Sequence, residues 1–110
     1  MNITNDYRRE LKSKIIEYAM DEFHQRGIKA VKMDEISRGL HVSKRTVYEI
    51  FGDKEELLLA GIRAQNEELR CMLDRFASQN NHNVIDIICY FYRVQMELNE
   101  QVGVKYYEEI

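Results

Sequence analysis

Lys44, Arg45, Thr46 and Tyr48 fall within a stretch of nine residues, Ser43 to Phe51, in a chain of 110. Together they supply an ammonium, a guanidinium and two hydroxyls, a set of donors matched to phosphate oxygens and base edges. Val47, Ile50 and Phe51 recur in the same stretch at i, i+3 and i+4. A helix therefore gathers those three on one side and turns Lys44, Arg45, Thr46 and Tyr48 to solvent. So short a helix is unstable alone and needs a surface behind it. Held from behind and cationic in front, it suits a DNA major groove. By composition alone Lys44 and Arg45 would be ordinary solvated charges; their place at the start of a capped helix is what distinguishes them.

The formal net charge of −3 is at first sight unfavourable for that chemistry. Counted from His24 to Lys54, however, seven bases face four acids, a local excess of +3. Local sign governs phosphate attraction, while whole-chain charge governs solubility. The N-terminus lacks a basic region followed by an apolar core, so no secretory signal is expected. No apolar run approaches the roughly 20 residues of a membrane span. Cys71 and Cys89 lie in helical patterns and read as reduced core residues of a cytoplasmic protein. His24 and His82 have no ligand-spaced partners, and no glycine-rich phosphate loop or nucleophile with a partner His is present. No metal or cofactor is expected, and an enzyme is not.

Five glycines, no proline and no clean apolar alternation point to an all-α chain. A first helix opens near Thr4 to Asp6 and carries Leu11, Ile15, Ile16, Ala19, Met20 and Phe23 as its apolar stripe, with Arg8, Arg9, Lys12 and Lys14 mostly outside it. It ends at Arg26, because Gly27 can turn left-handed and bring Ile28 back onto Phe23. A second helix begins near Met33 with Asp34 and Glu35 in its first turn, and Met33, Ile36 and Leu40 on one face. Gly39-Leu40-His41-Val42 forms the turn and Ser43 caps the third helix. Gly52 stops that helix. Asp53 caps the fourth, with Glu56 as the reciprocal partner.

The fourth helix runs to about Gln79, roughly 40 Å at the standard rise, with Leu58, Ile62, Gln65, Leu69, Met72 and Phe76 along one side. Asn80 to Asn83 form a turn in which Asn83 and Asp86 cap a fifth helix from Val84 to at least Glu100. That helix is apolar nearly all round and so expects cover from several directions. Tyr90, Phe91, Tyr92, Tyr106 and Tyr107 read as core before they read as a ligand pocket.

Residues 14–58 resemble the N-terminal DNA-binding domain of the tetracycline-repressor (TetR) family of bacterial transcriptional regulators. The resemblance is carried by Ile15-Ile16…Ala19…Phe23…Gly27, by Met33-Asp34-Glu35-Ile36, and by Val42-Ser43-Lys44-Arg45-Thr46-Val47-Tyr48. It continues through Phe51-Gly52-Asp53-Lys54-Glu55-Glu56-Leu57-Leu58. It implies a helix-turn-helix head over 1–52, then over 53–110 a linking helix and the start of a helical ligand-sensing and dimerising domain. Ser43, Lys44, Arg45 and Thr46 would then meet the groove, and Tyr48 and Lys54 would anchor phosphates. The implied partners are double-stranded DNA, a second copy of the chain and a small-molecule effector of unknown identity, and no membrane.

Three positions depart from the family pattern. His41 replaces the usual glycine of the turn, and His tolerates a left-handed backbone better than most residues. Lys32 stands where a threonine cap is usual, exchanging a hydroxyl contact for an ammonium–phosphate contact. Ile50 replaces an aromatic or histidine and cannot bond a phosphate. The chain also ends at Tyr106-Tyr107-Glu108-Glu109-Ile110 without an evident closing element, so a fragment with an incomplete sensor pocket is expected. The competing expectation is a helical protein-interaction module without DNA binding, acting through the fourth and fifth helices.

Overall fold

The computed structural model describes residues 3–79, 82–100 and 102–110, which form six α-helices and no strand. They are α1 (Ile3–Arg26), α2 (Met33–Leu40), α3 (Lys44–Ile50), α4 (Lys54–Ser78), α5 (Val84–Glu100) and α6 (Val104–Glu109). None is long and apolar enough to cross a membrane. Two residues of the turn before α5, Asn80 and Asn81, lie outside the described residues.

The core of the head joins the first four helices. Ile15, Ala19 and Phe23 of α1 meet Val31 of the following loop, Ile36 of α2, Val47 of α3 and Leu57 of α4, all with no solvent exposure. Phe51, just past α3, is 2 % exposed. Burying side chains of this size contributes about 1.5–3 kcal/mol each, enough to hold a helix of seven residues that could not persist alone. Leu57 stands next to the expected stripe of α4, because that helix uses two faces. Leu57 and Gly61 turn to α1, where a Cβ on Gly61 would collide with the Met20 side chain. Ile62, Leu69 and Met72 turn instead toward α5 and α6.

The helix ends follow local chemistry closely. Gly27 takes a left-handed φ of 85°, and its N–H bonds the Phe23 carbonyl at 2.9 Å. Lys32 is the N-cap of α2 but its side chain makes no capping bond, so the Asp34 and Glu35 carboxylates are the groups that complement that terminus. Ser43 Oγ accepts the Thr46 N–H at 3.1 Å, and Asp53 Oδ1 accepts the Glu56 N–H at 2.8 Å. The expected return bond from Glu56 is shifted by one residue: its carboxylate accepts the Gly52 N–H at 2.8 Å. Asn83 and Asp86 bond each other's backbone N–H reciprocally, at 2.9 and 3.1 Å.

Two features differ from expectation. The last residues, expected to form no evident element, make a helix: α6 folds back onto the C-terminal end of α1. The Gly103 N–H bonds the His24 carbonyl at 2.8 Å, and Tyr106 enters the core of the head at 4 % exposure. A helix of six residues leaves little periodicity to detect, and its stability comes from that docking. Cys71 and Cys89, expected in the core, are free and exposed. They lie on faces of α4 and α5 that nothing covers, and Ile85, Ile88, Tyr92 and Met96 of α5 are exposed with them.

His41 is the one non-glycine residue with positive φ among the described residues, at 57°. A left-handed conformation is unfavourable for a residue with a Cβ and free of that penalty for glycine. His41→Gly should therefore raise stability by about 0.5–1 kcal/mol, and His41→Val should lower it, in urea unfolding. Equal midpoints for all three proteins would show that the turn is unstrained.

Candidate nucleic-acid interface

The α2–α3 unit positions the sequence-predicted contacts. The left-handed His41 ends α2, its N–H bonding the Arg38 carbonyl at 3.2 Å while the Val42 N–H takes that of Ser37 at 3.0 Å. Two residues later Ser43 starts α3, and Val47 locks it against the core. Lys44 and Arg45 consequently project outward, with side chains 60 % and 89 % exposed. His41, Ser43 and Tyr48 are exposed beside them, and Thr46 is half-buried.

Lys44, Arg45, Ser43, Thr46 and Tyr48 already have light intramolecular partners. Lys44 Nζ lies 3.1 Å from Asp34 of α2 and 5.9 Å from the centre of the Tyr48 ring. Arg45 Nε donates to Glu49 at 3.0 Å. Ser43 Oγ and Thr46 Oγ1 share a 2.6 Å hydrogen bond. Exposed ion pairs are worth about 0.2–1 kcal/mol, so Lys44 and Arg45 exchange them readily for a stronger anion. Arg26, by contrast, is structural. It bonds Glu35 at 2.7 Å and Glu22 at 3.3 Å, tying α1 to α2, and in doing so holds the Glu35 carboxyl below its ordinary range.

Lys54 does not stand on this face as a free cation. Its ammonium turns back under the head and donates to the carbonyls of Ile28 at 2.9 Å and Val31 at 3.0 Å. Those carbonyls sit in the α1–α2 connection, whose groups have no helix to satisfy them. Lys54 therefore clasps the start of α4 to that connection, leaving one of its three N–H donors for an outside ligand. Lys32 is exposed at the start of α2. Lys44 and Arg45 thus form the accessible basic face, and Lys54 supports it.

A cleft of about 540 Å³ opens on the other side of α4, between α4, α5 and α6. Ile62, Leu69, Met72, Val94 and Leu98 supply its apolar walls, His24, Gln65, Tyr106 and Tyr107 are among its polar groups, and Glu68 and Glu97 add two carboxylates. The His24 ring meets Tyr106 edge-on at 4.6 Å and lies 3.2 Å from the Gln65 amide nitrogen. Burial pushes the His24 imidazole below its ordinary value against the opposing pull of Asp21, so the neutral ring accepts from that amide. Tyr106 and Tyr107 do line a pocket, whereas Tyr90 stacks on Phe76 at 4.2 Å. His24 and Gln65 gave no sequence signal beyond their place in helical rows, because only the docking of α6 brings them into one cavity.

Residues 15–60 match the family model of bacterial regulatory proteins, tetR family. The matched span contains Lys32, His41, Ser43, Lys44, Arg45, Thr46, Tyr48 and Lys54. No curated protein and no solved structure matches the chain.

Lys54→Met keeps the aliphatic stem and removes both carbonyl bonds. It should destabilise the fold by about 1–3 kcal/mol in urea unfolding, the range for a buried acceptor left unmatched. The loss falls chiefly on the Val31 carbonyl, since that of Ile28 keeps the Val31 N–H at 3.4 Å. An unchanged midpoint would show that water satisfies Ile28 and Val31 equally well.

Proposed function

We propose, on the match of residues 15–60 to the tetR family of bacterial regulatory proteins, that the chain is a DNA-binding regulator, an effector-responsive repressor that reads a palindromic operator as a homodimer. The observation that carries this reading is the division of α3. Val47 is sealed in the core, while Lys44 at the first turn and Arg45 across the helix from Val47 are among its most exposed groups. Set into a major groove, the N-terminal half of α3 presents Ser43, Lys44, Arg45 and Thr46 to base edges. Arg45 leaves Glu49 for a guanine, whose N7 and O6 accept both arms of a guanidinium. Tyr48, Lys32, His41 and the remaining donor of Lys54 lie around that helix to meet phosphates, which fix position without reading sequence.

The dimer and the palindrome follow from the family resemblance, with half-sites about 34 Å apart or a multiple of it. The effector site is the α4–α5–α6 cleft, whose apolar walls and the carboxylates of Glu68 and Glu97 favour a largely apolar small molecule that is neutral or carries a positive charge, and disfavour an anion. Its walls include Tyr106, so a ligand there acts on the same contact that seats α6 against α1. The uncovered apolar side chains of α5 favour a second reading, a protein-interaction module that does not bind DNA.

A salt series separates the two. A DNA reader loses affinity linearly in log salt, whereas apolar docking hardly responds. On an operator selected from random duplexes, Arg45→Ala should weaken binding by about 1–3 kcal/mol and relax preference at one base pair per half-site. A variant equally weak on every sequence would make Arg45 a phosphate contact, and a flat salt response by the unaltered chain would remove the DNA reading.

A further inference from the structure

At the C-terminal end of α3, Glu49 and Ile50 border a surface depression whose other walls are Arg8, Arg9 and Lys12 of α1. Positions 8, 9 and 12 are related by three- and four-residue steps, so one side of α1 carries all three cations. Each is exposed. Among the described residues none of the three takes part in an ion pair, although Arg26, Lys44, Arg45 and Arg70 all do. Lys12 Nζ stands 5.8 Å from the centre of the Phe51 ring, which fixes this end of the cluster to the residue that closes α3. Glu49, the acid of the depression, pairs with Arg45 in the free protein. When Arg45 turns to a base, this one carboxylate faces three cations of α1 and leaves the depression with a net positive charge, while Ile50 has no polar side-chain atom to offer. Polar contact at this end of α3 must therefore come from α1, in a segment that precedes the family match.

We propose that Arg8, Arg9 and Lys12 form a second phosphate-binding site for double-stranded DNA. They grip the backbone that passes the C-terminal end of α3 while Lys44 and Arg45 occupy the groove. The site rests on α3 being the groove helix, as proposed above. A groove about 12 Å wide has a phosphate wall on either side of the inserted helix. Unpaired cations anchored beside that helix meet one wall and release counterions from it. The contact is independent of base sequence, so it adds to affinity and orientation but not to discrimination.

The test is fluorescence anisotropy of the full chain with a mixed-sequence duplex of about 30 base pairs, from about 50 to about 200 mM salt. Arg8→Gln with Arg9→Gln avoids Lys12 and its contact with Phe51, so the fold is preserved. Lys14→Gln removes an exposed charge of the same helix that does not border the depression. The double variant should flatten the plot of log affinity against log salt by about 1.8, or about 0.9 per lost contact, with Lys14→Gln close to unaltered protein. A double variant with unchanged slope, or an equal loss per charge in Lys14→Gln, would overturn the α1 site and leave the groove reading standing. Failure of the unaltered chain to show any salt-dependent binding would overturn both.

Discussion

A helix of seven residues holds its shape here because Val47 and Phe51 are driven into a cavity prepared by α1, α2 and α4. Isolated, a segment of this length would be mostly unfolded, and its cations would sample many directions. Docked, its backbone is fixed at both ends: by the Ser43 cap at the start and by the extended Phe51 at the close. The direction in which Lys44 and Arg45 point is thus set by the apolar groups that seat the same helix in the core. Tertiary burial, more than propensity, orders the interface.

The electrostatics build on that scaffold. The chain is acidic overall, yet the cations around α3 are either held by weak surface partners or left unpaired. Asp34 and Glu49 keep Lys44 and Arg45 in defined positions without committing them, since such pairs are nearly isoenergetic with solvation. Other cations are committed. Arg26 joins α1 to α2, and Lys54 joins α4 to the loop between them. One charge type therefore serves two purposes, distinguished by what it faces: backbone carbonyls and close carboxylates in one case, open solvent beside α3 in the other.

Much of the head was legible in the sequence because local chemistry and global fold agree there. Gly27, His41, Ser43 and Asp53 each mark a helix boundary that the structure keeps, and Val47 and Phe51 were visible as the buried side of α3. What escaped notice depends on contacts distant in sequence. Lys54 looks like a surface lysine until the carbonyls of Ile28 and Val31 are placed beneath it. Leu57 and Leu58 are equivalent in composition, and only the crossing of α1 over Gly61 decides which one is buried. Tyr106 and His24 are far apart along the chain, and their edge-on contact exists because α6 folds back on α1. The cleft beside α4 inherits that difficulty, since three helices must be placed before it can be seen.

The central claim is that the outward side of α3 is the surface that meets DNA. Backbone amide spectra of the labelled chain, titrated with a duplex recovered from a random pool, test it most directly. The account predicts shifts concentrated from Ser43 to Tyr48 and at the start of α2, with α5 unmoved. Shifts confined to α5, or a spectrum in which α3 is unaffected at saturation, would contradict it.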